Sequence, residues 1–340
     1  MISDARVKGL LLLFFSGVLV VGAMIALTAG TYDLSVAQTF EILKAKVFGG
    51  DESALNKLHT VIVWKIRSPR VLLAVLGGIA FSMAGATYQA CFRNPLVEPY
   101  ILGVSAGAAF GAALGIVFPA VFRSVQISAF VGALLAVSLS YSIARARGRS
   151  PVIALVISGV VIASLFSALV SLLKYVAPDA QLREITFWMM GGFYYATWAD
   201  VGVLTPFILG VFVLVQSLSW KLNILSMGDE EARSLGVNPE FYRALLILVT
   251  TLVTALCVSQ VGIIAWVGLM APHASRMIFG ADNTYVIPGG ALLGAIFLLF
   301  CDTMARTISA AEIPVGILTS IVGAPFLVYL LRSKGRQIYG

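Results

Sequence analysis

Few residues in this chain could do chemistry, and their spacing argues against most of it. Two histidines, His59 and His273, lie more than two hundred positions apart. The three cysteines, Cys91, Cys257 and Cys301, show no CxxC spacing and fall in or beside apolar segments, as small buried hydrophobes do. No metal cluster is expected. No Gly-Lys dipeptide occurs, so the lysine of a phosphate-binding loop is absent. There is no nucleophile elbow, no HExxH and no triad candidate, so an intramembrane enzyme is not expected. Within the long apolar segments the carboxylate that stands out is Asp302. Arg306 follows one turn later, at a spacing that permits a local ion pair. A proton relay would need more members.

One stretch is conspicuously polar: Ser226-Met227-Gly228-Asp229-Glu230-Glu231-Ala232-Arg233-Ser234-Leu235-Gly236. Ser226 is placed as an N-cap. Asp229, Glu230 and Glu231 set negative charge in the first turn, where the helix dipole favours it. Gly236 is placed to end the helix, and Asn238-Pro239 reads as the cap and first residue of the next. A short charged helix between two long apolar segments is either a solvated connector or an element that a soluble partner grips.

The surrounding elements follow from composition. Of 340 residues 59% are hydrophobic and 11% charged, and the mean hydropathy is +0.97. Soluble domains carry roughly 25% charged residues, so the solvent of this chain is the bilayer. The apolar runs are continuous rather than alternating, which excludes a β-barrel. An all-α polytopic membrane protein is predicted, a single transmembrane domain over 1–340. At about 20 residues per span the length allows roughly ten helices. The expected spans are 8–29, 69–91, 100–119, 124–144, 151–174, 198–219, 240–259, 262–278, 285–302 and 313–331, the eighth broken or kinked around Pro272. The first apolar run is too long for a signal-peptide core.

An even number of spans puts both termini on one side. That side, with loops at 92–99, 145–150, 220–239 and 279–284, holds thirteen of the 23 Lys and Arg residues. They include Arg145, Arg147 and Arg149 and the tail Arg332, Lys334 and Arg336, which mark it as cytoplasmic. The net charge of +7 is scattered singly and is no nucleic-acid signal. On the opposite side an outer loop of about 30–66 contains helical apolar spacing over 34–48, expected to lie on the membrane surface. A second outer stretch, 175–197, carries aromatic residues suited to an interfacial belt.

Six segments in collinear order resemble the FecCD-type permeases, the membrane subunits of ABC importers for iron-siderophore complexes, haem and vitamin B12. They are Arg67-Ser-Pro-Arg70, Phe92-Arg-Asn-Pro-Leu-Val-Glu-Pro-Tyr through Gly107, Phe187-Trp-Met-Met-Gly191, Leu225 through Val237, Val267-Gly-Leu-Met-Ala-Pro-His273 through Arg276, and Glu312-Ile-Pro-Val-Gly316 with Gly323-Ala-Pro-Phe326. The resemblance covers the chain from about residue 60 onward. It implies the ABC importer type II permease fold, about ten transmembrane helices per subunit, and a homodimer with one path on its two-fold axis. It also implies two copies of a cytoplasmic ATPase, which carry the ATP and Mg while this chain holds no cofactor, and an external or periplasmic substrate-binding protein. The fifth and tenth spans, about Val152–Leu173 and Ile313–Tyr329, would line the path. Ser226–Gly236 would be the helix that the ATPase grips. Arg67, Arg70 and Arg306 would face outward to receive acidic residues of the binding protein, although Arg67 and Arg70 also suit snorkelling at a helix start. His273 reads as structural or near the ATPase. An iron chelate leads among cargoes, ahead of haem, cobalamin or an oxyanion. Two competitors stand against an importer permease: an ion-coupled secondary transporter and a non-transporting scaffold.

Overall fold

A computed structural model describes residues 4–30, 32, 34–50, 55–145, 152–309 and 311–338. Arg147 and Arg149 lie outside the described residues. The described chain is helical, without strands. Its elements are α1 (Ala5–Thr28), α2 (Val36–Phe48), α3 (Lys57–Thr60), a π-helical stretch (Val61–Arg67), α4 (Ser68–Phe92), α5 (Val104–Val117), α6 (Val125–Ala144), α7 (Val152–Val176) and α8 (Asp179–Met190). They continue as α9 (Trp198–Ser217), α10 (Ser219–Met227), α11 (Asp229–Ser234), α12 (Pro239–Val261), α13 (Val267–Phe279), α14 (Asn283–Ile308) and α15 (Val315–Ile338). Each of the ten expected spans contains a helix. Among the described residues seven helices are long and apolar enough to cross a membrane, with α5 and the apolar part of α15 (Val315–Tyr329) shorter.

Helix α4 is the hub, and nearly all of its side chains are buried. Its glycines decide what can approach. A Cβ on Gly78 would sit 2.4 Å from the Gly294 carbonyl oxygen, and one on Gly85 would sit 1.7 Å from that of Gly268. The backbones of α14 and α13 therefore touch α4 directly. This is the close packing that small residues permit where no hydrophobic force draws helices together. Helix α1 packs on α14, with Gly22 against Leu299, and most of its surface stays exposed for lipid. Helix α2 carries a Ser35–Gln38 capping box. It buries Ile42 with Leu34 and Val63 and leaves Phe40, Val47 and Phe48 exposed, an amphipathic surface helix.

The third and eighth spans differ from expectation. At about 1.5 Å per residue, the 14 residues of α5 and the 13 of α13 are too short for a core of about 30 Å. The missing length is irregular chain over 93–103 and 262–266. The two irregular segments meet each other. Tyr100 Oη donates to the Ile264 carbonyl at 2.8 Å, and the Trp266 N–H donates to Glu98 Oε1 at 3.2 Å. Non-helical backbone at membrane depth survives only when protein buries it, and here each segment supplies the other's partners. Hydropathy counts apolar residues and is blind to where the helix begins inside such a run.

Candidate functional site

The polar stretch folds as two helices, not one. Ser226 lies in the last turn of α10, where its hydroxyl donates to the Leu222 carbonyl at 2.8 Å. It caps nothing, which corrects the expectation. The cap is Gly228, with φ 144° and ψ 165°, a region that essentially glycine alone adopts. The chain turns sharply there, so Asp229, Glu230 and Glu231 become the first three residues of α11. The end of α11 is as expected. Gly236, at φ 73°, donates its N–H to the Arg233 carbonyl, and Val237 donates to that of Ala232, a Schellman closure. The Asn238 side chain then accepts from Glu240 and Phe241 N–H groups at the start of α12.

Helix α11 has an inner and an outer face. Inside, Ala232 is fully buried. The Asp229 carboxylate takes two bonds from the buried Arg243 of α12, at 2.5 and 3.3 Å, and Arg93 approaches to 3.8 Å. Arg243 also donates to the Cys91 carbonyl at the end of α4. Burial raises the Asp229 pKa, but Arg243, with Arg93 and Arg233, outweighs it and brings the net shift below the ordinary carboxylate value. A depressed folded pKa means the pair stabilises fully above the unfolded value and is lost only as pH falls through the folded one. The clamp is therefore intact across neutral pH. Outside, Met227, Glu230, Glu231, Arg233 and Leu235 are exposed. Beside α11, Asn223 of α10 donates to Asp282 at 2.7 Å and accepts from the Asn283 N–H at 2.8 Å, tying α10 to the start of α14. Rigid attachment on one face and free acidic and apolar groups on the other suit a part that passes motion between bodies. Gly228→Ala is expected to break this arrangement. Its Cβ would fall 2.1 Å from Glu231 Oε2, and the φ would be strained by about 1–3 kcal/mol. Transport should fall at least severalfold, while the melting temperature of the purified protein drops by only a few degrees.

The three outer arginines come together at the other end of the bundle, but not at its surface. Arg67, Arg70 and Arg306 are 4%, 6% and 4% exposed. Arg67 donates to the carbonyls of Leu27, Thr28 and Tyr32. Arg306 donates to those of Ala26 and Ala29. Both cap the C-terminal carbonyls of α1, which a helix end otherwise leaves unpaired. Arg70 holds Asp302 at 2.9 Å and Glu312 at 2.8 Å. The expected Asp302–Arg306 pair is present at 3.6 Å, as one edge of this larger network. These arginines are buried internal ties in this structure, where an outward-facing position was expected. Their partners lie up to 280 positions away, beyond the reach of motif reading.

Glu312 opens onto a cavity of about 550 Å³ whose wall includes Arg183, Phe187, Trp188, Tyr194 and Tyr195. The aromatic residues of the second outer stretch thus wall a cavity. Of the path candidates, α7 exposes Ile153, Ile157, Val160, Val161 and Leu165, and α15 exposes Ile317, Ile321, Val322 and Tyr329. Both are apolar faces interrupted by serine. Sequence reasoning counted Arg243 and Arg93 only as charges near loops, met Glu98 only inside a family segment without a role, and passed over Trp266. A lone arginine near the start of an apolar helix was the available signal for Arg243. Among the described residues no group of three His, Cys, Asp or Glu could hold a metal ion.

The sequence pattern of the FecCD transport family matches residues 18–333. The chain belongs to the FecCD transport family. It is 38% identical over 322 residues to the molybdate import system permease protein of Haemophilus influenzae, covering 93% of this chain and 94% of that one. It is 39% identical over 285 residues to the hemin transport system permease protein of Yersinia pestis, covering 82% and 85%. Its fold superposes with TM-score 0.84 and 34% identity on an inward-facing conformation of a metal-chelate type ABC transporter, covering 95% of this chain and 98% of that one. The fold is that of an ABC importer permease, and the FecCD chain is a multi-pass membrane protein.

Proposed function

We propose that this chain is the membrane-spanning permease subunit of an ABC importer, with ten crossings, both termini cytoplasmic, in the cell (inner) membrane. It works as a homodimer with two cytoplasmic ATPases, which bind the ATP and Mg, and an external substrate-binding protein. The observation that carries the reading is the two-faced α11. Its inner face is clamped to α12 and α4, and its exposed Glu230 and Glu231, with Met227 before the helix and Leu235 after it, are free for a soluble partner. The excess of Lys and Arg at this end supports its cytoplasmic position. ATP binding closes the ATPase dimer, α11 carries that motion into the spans, and the path switches between outward and inward access. The path runs between α7 (Val152–Leu173 face) and α15 (Ile313–Tyr329 face) of the two subunits. Apolar walls with few strong ligands suit a bulky chelated cargo that must be released again. The cargo is a metal chelate, iron-siderophore first, with haem, cobalamin and molybdate as relatives' alternatives.

Docking of the binding protein through the outer arginines requires an exchange. A partner carboxylate would replace Glu312, the partly exposed member, on Arg70, with Arg67 and Arg306 as support. The ion-coupled alternative is disfavoured because Asp302 is held by two arginines and has no chain of protonatable neighbours along the spans. Replacing Glu230 and Glu231 by alanine separates the readings. Neither side chain is used in a described ion pair, so folding should be unchanged. An importer should lose ATP-driven uptake by about tenfold or more, whereas a secondary transporter would keep it.

A further inference from the structure

The loop between α12 and α13 carries an unusual residue. Trp266 caps α13 with φ 76°, a left-handed conformation that a bulky side chain seldom adopts. Three contacts hold it there. Its N–H donates to Glu98, its carbonyl accepts from Leu269 and Met270 N–H groups, and its indole fills a notch in α15 left by a missing side chain. A Cβ on Gly323 would lie 2.5 Å from Trp266 Cγ and 2.7 Å from Cδ2. Seven residues earlier, on the same face of α15, Gly316 rests on backbone. A Cβ there would lie 2.2 Å from the Met190 carbonyl oxygen and 3.1 Å from that of Ile263. The platform beneath is itself glycine-packed, since Cβ atoms on Gly191 and Gly262 would each lie 2.3 Å from the carbonyls of Ile263 and Trp188.

Helix α15 is thus seated on two points, the Met190 carbonyl at the end of α8 and Trp266 just before α13, while its Ile321, Val322 and Tyr329 are exposed. Beside the seat lies a cavity of about 510 Å³, lined by Met189, Met190, Ile263, Ser320 and Ile321. The platform 262–266 bonds to the neighbouring helices only at its two ends, Gly262 N–H to the Val258 carbonyl and the Trp266 carbonyl to Leu269 and Met270 N–H, and Glu98 and Tyr100 tie it to the segment leading into α5.

We propose that Trp266 is the positioning residue for α15. Its ring in the Gly323 notch, with Gly316 on the Met190 carbonyl, is the bearing on which α15 rocks during transport, and Glu98 fixes that bearing to the body. This rests on the reading of α15 as a path helix.

The test uses the full importer in proteoliposomes, with metal uptake and ATP hydrolysis measured together. Gly323→Ala should cut uptake by about tenfold or more, the order that overpacking a tight contact produces, with basal ATP hydrolysis near that of the parent. Trp266→Phe should be tolerated and, combined with Gly323→Ala, should recover much of the uptake, because the smaller ring makes room for the new methyl. Trp266→Ala should raise the ATP spent per metal imported. A purely structural contact would lower uptake and ATP hydrolysis together, in proportion to folded protein. That result, or failure of Trp266→Phe to rescue, would overturn the proposal. An Ile321→Cys variant tests the underlying reading separately, by labelling with a membrane-impermeant maleimide. Labelling that changes with ATP in the parent background but is frozen by Gly323→Ala supports the bearing. A nucleotide response unaffected by Gly323→Ala would leave α15 a path helix and remove the bearing. Labelling that never responds to nucleotide would remove both.

Discussion

Asp302→Ala is expected to be the most damaging single substitution at the outer end of the bundle. The carboxylate is fully buried between Arg70 and Arg306, which are themselves 7% and 4% exposed at their side chains. Removing it strands the buried Arg306 and leaves Arg70 with Glu312 alone, and breaking a buried ion pair from one side costs on the order of 3–5 kcal/mol. Arg306 and Arg67 also hold the last carbonyls of α1, so the loss should loosen α1 and α14 together. The purified variant is expected to melt well below the parent or to aggregate on extraction. Glu312→Ala removes a carboxylate that is one-third exposed, so its cost should be about 1 kcal/mol or less. Thermal unfolding of the two variants in the same detergent checks the order. Equal stability of Asp302→Ala and the parent would refute the network as described.

The second large effect belongs to the Arg243–Asp229 clamp. Arg243→Met keeps the length of the side chain, removes its charge and strands Asp229 on Arg93 alone. Truncating one member of a hydrogen-bonded charge pair costs about 2–5 kcal/mol. Here the loss falls on the attachment of α11 rather than on the helical core. Uptake should drop by roughly thirtyfold or more, the equivalent of about 2 kcal/mol, while ATP hydrolysis continues uncoupled. Asp229→Asn should behave similarly, and the double variant should be little worse than either single one, because the two residues act as a unit. Additive losses would mean that they act through separate routes.

The comparison of sequence with structure divides along physical lines. The spans were legible because a bilayer demands long apolar runs, and hydropathy measures those directly. Gly236 and Asn238-Pro239 were legible because a left-handed closure and an N-cap depend on neighbours in the chain. The break at Gly228 was not, since Ser226 is an equally good local cap and only the tertiary clamp on Asp229 selects the later start. The burial of Arg67, Arg70 and Arg306 was hidden for a related reason. Motif resemblance marks that an arginine matters, while its partners are carbonyls and carboxylates on other helices. The short α5 and α13 were masked because the irregular residues inside the expected spans, 100–103 and 262–266, are as apolar as helix. Glu98 sits in a recognisable family segment that does not reveal its partner, and Trp266, to which it is joined, carries no local signature.

The measurement that bears most directly on the central claim is cargo uptake into proteoliposomes holding this chain, its cytoplasmic ATPase and its external binding protein. Iron chelates, haem, cobalamin and molybdate would be offered in turn and internal metal counted. Uptake should require ATP, persist when proton and sodium gradients are collapsed, and disappear in the Glu230→Ala/Glu231→Ala variant. Uptake by the chain alone, driven by an imposed ion gradient and indifferent to ATP and to those two glutamates, would contradict the importer account and make this protein an ion-coupled transporter.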